Sequence, residues 1–329
     1  MKRLFLLSFF FISIITGLFA QSGKEAKFQV SIFPPLGTQG SYAKEYTNDF
    51  SFNILVGTSK NERYFTLGSL LNVIGNDASG FQLAGLGNII GNKSQGIQIG
   101  GLFNIIGGNG QGMLLSGIFN SNKDYNGMQL AGLMNKSEDA YGIQLAGLIN
   151  KARNVNGVQL AGLMNIAESC DYPIGLINII RNGEMGIGIS YNETGTTTLS
   201  FRSGGRVLYG IFGVGYNHRS DVSEESFVME VGLGAHINIK ESFRINTEMK
   251  SHQYGFRSTS LNSIAVFPAF KFGNNFEIFA GPSINYMDSD TEKNRNIFPD
   301  MSLNIWKDFE GKRYHQVYIG FSLGVQYIF

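Results

Sequence analysis

The groups in this 329-residue chain that could do chemistry are four histidines, one cysteine and a set of charged residues in its last third. His218, His236, His252 and His315 fit no metal-ligand spacing, so no metal residue is assigned. The single Cys170 excludes a disulfide framework, a cysteine-rich zinc module and an iron–sulfur cluster. Gly85-Leu-Gly87-Asn-Ile-Ile-Gly91 faintly echoes a dinucleotide loop, but its third glycine comes one residue late and no helix pattern follows, which makes it a repeat turn. Gly320-Phe-Ser-Leu-Gly324 has the letters of a Gly-x-Ser-x-Gly motif, but it lies inside one continuous alternating segment with no helix pattern after it, so it is not a nucleophile elbow. No catalytic or cofactor-binding residue is assigned, and the chain reads as non-enzymatic. One constellation remains: Glu230, His236, Arg244, Glu248, Lys250, His252 and Glu277. Facing inward in a barrel, these groups would line a selectivity filter or a ligand site. Alternatively they would close the lumen as a salt-bridged plug, because Lys or Arg turned toward lipid costs ~2–4 kcal/mol at the midplane.

The segments that carry those residues alternate. Phe227, Met229, Val231, Leu233, Ala235, Ile237 and Ile239 share one parity, and Glu230, Gly232, Gly234, His236, Asn238 and Lys240 share the other. Phe243 and Ile245 oppose Arg244, Glu248 and Lys250, and Phe276, Ile278, Ala280, Ile284 and Tyr286 continue the pattern. At the C-terminus, Val317, Ile319, Phe321, Leu323, Val325, Tyr327 and Phe329 alternate with Gln316, Gly320, Ser322, Gly324 and Gln326. Period-two alternation of this length predicts strands with one face in hydrocarbon and the other in a lumen. The segments 217–226, 288–295 and 307–313 are charged and read as exposed connections.

Upstream lies a repeat. Gly80-Phe-Gln-Leu-Ala-Gly-Leu-Gly-Asn88 recurs from Gly96, Gly112, Gly127, Gly142 and Gly157, with a degenerate copy from Tyr64 and a truncated one at Ile174 to Asn178. Start-to-start spacings are 16, 16, 16, 15, 15 and 15 residues. The six full copies carry no charge; Lys93, Lys123, Asp124, Lys136, Glu138, Asp139, Lys151 and Arg153 fall between them. Within a copy, Ile143, Leu145 and Ile149 alternate with Gln144, Ala146, Leu148 and Asn150. This parity suits two architectures; the near-constant period speaks for the second, but the absence of charge from both faces makes the first the expected one. Each copy could be one antiparallel stave of a wide barrel of about 16 to 18 strands, apolar face outward. Each could instead be one coil of a parallel solenoid, joined to a smaller eight-stranded barrel made of residues 196–329.

Composition and the leader narrow the class. The chain has 43 glycines, only 16% charged residues, and Lys plus Arg at 26 against Asp plus Glu at 25. Such a balance gives no grip on nucleic acid. Met1-Lys2-Arg3, an apolar stretch to Ile15 and Ala20 before Gln21 predict a cleaved signal peptide over 1–20. The remaining divisions are N-terminal strands over 21–63, repeats over 64–180 and barrel strands over 181–329. An exported chain with no apolar helix-length run crosses a membrane only as a closed barrel.

The ending Phe321, Leu323, Val325, Tyr327, Phe329 resembles the C-terminal assembly signature of bacterial outer-membrane barrels, which implies recognition by the outer-membrane assembly machinery. The whole mature chain resembles the surface-repeat-containing protein family of Gram-negative bacteria. The resemblance rests on Gly-x-Gln-Leu-Ala-Gly-Leu-x-Asn, Ser31-Ile-Phe-Pro-Pro-Leu-Gly37 and Ile278-Phe-Ala-Gly-Pro-Ser-Ile-Asn-Tyr286. It implies an outer-membrane or cell-surface location and brings no established activity. The expectation is an all-β outer-membrane protein in contact with lipid, with a structural, interaction or passive-permeation role. The alternative is a repeat-based adhesin or ligand binder on a small membrane barrel.

Overall fold

The computed structural model describes residues 25–220, 226–255, 259–273, 275–290, 303–310 and 313–329; the leader over 1–20 lies outside the described residues. Apart from a short 3-10 turn at Gly40–Glu45, every element is a strand. Two compact units meet between Gly147 and Leu148.

The first unit is a stack of coils. Each coil has a longer strand, a two-residue corner that is Gly-Leu in most copies, and a shorter return strand, as in Ser94–Gly100, Gly101-Leu102 and Phe103–Ile106. Successive coils pair in parallel and in register, Gln82 beside Gln98 and Asn88 beside Asn104. The repeats are therefore solenoid coils, not antiparallel staves of one wide barrel. Of the two architectures compatible with the sequence, the molecule adopts the coil module with a small barrel. The cause is the near-constant period: parallel stacking lays each residue of the motif on its own counterpart, whereas antiparallel pairing would scatter the amide columns. Glycine is required where coils touch. Gly96 has φ +118°, and a Cβ there would lie 2.1 Å from the Gly80 carbonyl oxygen. Coiling also starts earlier than the repeat motif. Thr47–Asn53 and Val56–Ser59 already pair in parallel with Asn61–Gly68 and Leu71–Ile74, and Glu25–Phe33 caps the stack beside Thr47–Asn53.

Within these coils, the amides point in and the aliphatic side chains point out. Asn72, Asn88, Asn104, Asn120 and Asn135 are buried and form a ladder, each Nδ2 donating to the next Oδ1 at 2.8 to 3.0 Å. Asn104 Nδ2 also donates to the Leu115 carbonyl at 2.8 Å, which ties the two strands of neighbouring coils together. Toward the opposite edge the interior turns apolar, with Ile74, Ala78, Ile90, Ile106, Leu114 and Tyr125. Tyr125 fills the space left by Gly110, where the period drops from 16 to 15 residues.

The second unit begins with two more coil pairs, Asn154–Ala161 with Ser169–Ile174 and Met164–Ala167 with Ile177–Ile180. A closed antiparallel barrel of eight strands follows: Glu184–Asn192, Thr196–Gly204, Leu208–Asn217, Phe227–Lys240, Phe243–Tyr254, Thr259–Phe272, Phe276–Asp290 and Arg313–Ile328. The first strand closes on the last, Ile189 opposite Val325. A further strand, Leu303–Glu310, pairs with the part of the last strand that the first does not reach. It replaces most of the exposed connection expected over 307–313. Its reason is an open edge: the 16-residue last strand outruns its 9-residue partner and offers unpaired backbone groups. The last coil joins the barrel through Asn178, whose backbone N–H donates to Ser203 Oγ at 2.9 Å.

Candidate functional site

Strand parity sends all seven charged residues of the predicted constellation into the barrel, where each is buried. They form two linked clusters. In the first, Glu248 accepts from Arg202 Nε at 3.1 Å and from the Tyr209 hydroxyl at 2.9 Å, and pairs with Lys250 Nζ at 3.0 Å. Lys250 reaches Glu230 at 3.8 Å, and His252 Nε2 donates to the same carboxylate at 2.8 Å.

In the second, Arg244 bridges Glu184 and Glu277, both at 2.6 Å; the Glu277 contact is a charge contact without hydrogen-bond alignment. Lys271 reaches the other oxygen of Glu184 at 3.0 Å. Asn246 Nδ2 donates to Glu277 at 2.9 Å. Its Oδ1 therefore faces His236 Nδ1 at 2.8 Å as the acceptor, which fixes that nitrogen as the proton carrier. The His236 ring stacks on Tyr209 with centroids 4.2 Å apart.

Apolar residues fill the rest of the lumen. Arg202 lies over the Phe279 ring at 5.0 Å and Lys250 over Phe267 at 5.1 Å, as cation–π contacts. Val228, Tyr254, Leu261, Met287 and Tyr318 make an apolar layer. Beside it, Glu193 in the first hairpin folds inward and accepts from Tyr318 OH, Asn285 Nδ2 and the Phe321 backbone N–H at 2.7 to 3.0 Å. The cavity beside Glu184, Arg202 and His236 measures about 10 Å³, room for a single water at most. Four cations (Arg202, Arg244, Lys250, Lys271) meet five carboxylates (Glu184, Glu193, Glu230, Glu248, Glu277), so charge nearly cancels along the lumen. Of the two arrangements open to the constellation, the geometry is that of a plug.

Sequence reading missed Arg202, Glu184, Tyr209, Lys271 and Glu193. Arg202 shares parity with Thr196, Thr198 and Ser200, so the signal was there, blurred by a strand whose other face mixes Thr197 and Ser203 with Leu199 and Phe201. Glu193 carried no signal, because it sits in a hairpin. His218 and His315 stay outside the constellation: His218 meets Thr197 Oγ1 at 2.9 Å, and His315 meets Tyr286 OH at 3.0 Å.

The outer wall of the barrel is apolar. Phe321, Leu323, Val325, Tyr327 and Phe329 of the assembly-like ending all point outward and are exposed. A groove of about 590 Å³ runs between this wall and the last coils, bounded by Leu233, Met249, Ile264 and Ile284 on one side and Ala161 and Leu176 on the other. In the coils, burial holds the Glu62 carboxyl above its usual range, although Asn48 and Ser51 donate to it at 2.8 to 3.1 Å. Burial also pushes the Cys170 thiol up to about 11, which leaves it a poor nucleophile.

No family model matches the chain, and no curated protein matches it. Among solved structures, a chain described under "De novo design of transmembrane beta-barrels" aligns with 44% of this chain and 93% of its own length. Identity is 13% and the TM-score 0.26, too distant a likeness to bear on function.

Proposed function

We propose that this chain is a non-enzymatic outer-membrane protein. In this reading the eight-stranded barrel is a closed anchor and the coil module is the part that meets a partner. The observation that carries it is the filled lumen: among the described residues, buried ion pairs and an apolar layer occupy the barrel interior, which favours a structural or interaction role over passive permeation. The exposed apolar wall supports lipid as its surroundings. The aromatic ending supports delivery by the outer-membrane assembly machinery, and the resemblance to the surface-repeat-containing family belongs to the same proposal. In planar bilayers the purified protein is expected to stay silent; steady ion conductance would overturn the anchor.

The connections support an orientation. The segments 205–207 and 241–242 are short and lie at one end of the barrel with Phe329, whereas the strands that end at Asn217 and Tyr254 and start at Phe227 and Thr259 reach the other. Short turns and chain ends face the periplasm in outer-membrane barrels. Gly205 approaches Pro173, and Ser203 holds Asn178, so the last coils attach at that end. This favours the periplasmic side over the cell surface for the last coils. A maleimide dye tests the point at exposed Lys151→Cys in the coils of the second unit: labelling is expected only after the outer membrane is permeabilised, and labelling of intact cells would restore the surface adhesin reading.

A further inference from the structure

The coil module is inside-out along one edge. A solenoid in water turns aliphatic residues inward and polar ones outward. Here Asn88, Asn104, Asn120 and Asn135 are at most 1% exposed, while the corner residues Leu86, Leu102, Ile118 and Leu133 beside them are 37 to 46% exposed. The flanking strands add outward Ile97, Leu130 and Ile143. In the first unit this edge runs from Leu70 to Leu133 in four steps of ~4.8 Å, about 19 Å in all, a continuous strip rather than scattered exposed residues. Charge is confined to the opposite edge, where Lys93, Lys123, Lys136 and Glu138 are exposed. Backbone groups along the strip are paired coil to coil, as Leu102 N–H to Leu86 O at 2.7 Å and Ile118 N–H to Leu102 O at 2.8 Å. A segment with an apolar exterior, satisfied backbone and inward amides meets the requirements of hydrocarbon.

We infer that the Gly-Leu edge of the repeats seats in the hydrocarbon of the bilayer, so that the module lies along the membrane as a monotopic element with its charged edge in water. Two observations choose lipid over a second copy or a protein partner. Charge and apolarity are segregated to opposite edges along the stack, the pattern of an interfacial element. In the second unit the same corner positions, at Gly162 and Leu176, line the groove on the outer barrel wall, the surface that the proposed function gives to lipid. This inference rests on the reading of the barrel as membrane-spanning.

The test uses the full chain with Cys170→Ser and single cysteines carrying an environment-sensitive dye, folded into phosphatidylcholine vesicles with and without brominated acyl chains. Labels go to Leu102→Cys and Leu133→Cys on the edge, Lys93→Cys on the opposite edge and Leu323→Cys on the barrel wall. Bromolipid is expected to quench positions 102 and 133 about as strongly as 323, and to leave 93 bright. Quenching at 323 with none at 102 and 133 overturns this inference and leaves the barrel in place. No quenching at any position overturns both readings. Quenching at 102 and 133 without 323 removes the spanning barrel and, with it, the inference that rests on it. If 102 and 133 escape lipid but their emission changes on dilution of the protein, the edge joins copies of the chain and the inference falls.

Discussion

Arg244→Met is the sharpest probe of the plug. Arg244 is 1% exposed and stands between Glu184 and Glu277, each 2.6 Å away. Removing the guanidinium affects the two carboxylates unequally. Glu184 is about one-third exposed and keeps Lys271 at 3.0 Å, so its share is small after screening. Glu277 is fully buried and keeps only the amides of Asn246 and Gln326, at 2.9 and 2.8 Å. An uncompensated buried carboxylate costs about 3–5 kcal/mol, or roughly two to four powers of ten in the folding constant at ~1.36 kcal/mol per decade. Arg244→Met/Glu277→Gln is expected to recover most of that loss, since the Gln oxygen still accepts from Asn246 and Gln326. Urea unfolding of the detergent-folded protein, followed by heat-modifiable gel migration, measures all three chains. A single-variant loss under ~1 kcal/mol, the range of an exposed pair, would refute the reasoning, as would a double variant no more stable than the single.

Three other expectations follow from the coils. Asn104→Ala strands the Leu115 carbonyl, the Asn88 amide and the Asn120 oxygen at ~1–3 kcal/mol each before relaxation; limited proteolysis should then cut between residues 86 and 120 while the barrel stays intact. Gly96→Ala drives a methyl into the Gly80 carbonyl and forces φ +118° on a residue with a Cβ, so folded yield should fall sharply where Ala at exposed Gly75, whose Cβ would meet nothing closer than 3.5 Å, is better tolerated. Glu62 has a raised folded pKa, so the native state holds its proton longer than the unfolded chain does. Its stability contribution is fully present below the unfolded value of ~4.3 and is lost as pH rises through the folded value. Glu62→Gln should therefore raise Tm at pH 7 and leave Tm near pH 4 little changed; an equal gain at both would contradict the assignment.

Side-chain direction was legible in the residues, and strand pairing was not. The alternation of Leu145 with Gln144 correctly implied aliphatics outward and amides inward, because parity depends only on the pleat. Antiparallel staves and parallel coils share that parity, so no single copy could decide between them. The constant spacing was the deciding signal, since it lets Asn88 stand on Asn104 and Asn104 on Asn120. Likewise the inward set from Glu230 to Glu277 was readable from long alternating strands. Which acid meets which base was not, because Glu184 and Arg244 lie 60 residues apart and meet only after the barrel closes. The coils before residue 64 were hidden because Phe50, Phe52 and Asn53 keep the geometry of the motif without its glycines.

The in-register coil stack has a genetic corollary. Every full unit presents the same upper and lower surface, so an in-frame duplication or loss of one unit in the gene would lengthen or shorten the module by one step and leave the barrel sequence unaltered. Unequal recombination between near-identical units supplies such changes readily. Chains of different reach could then arise by counting units, without a single new point mutation.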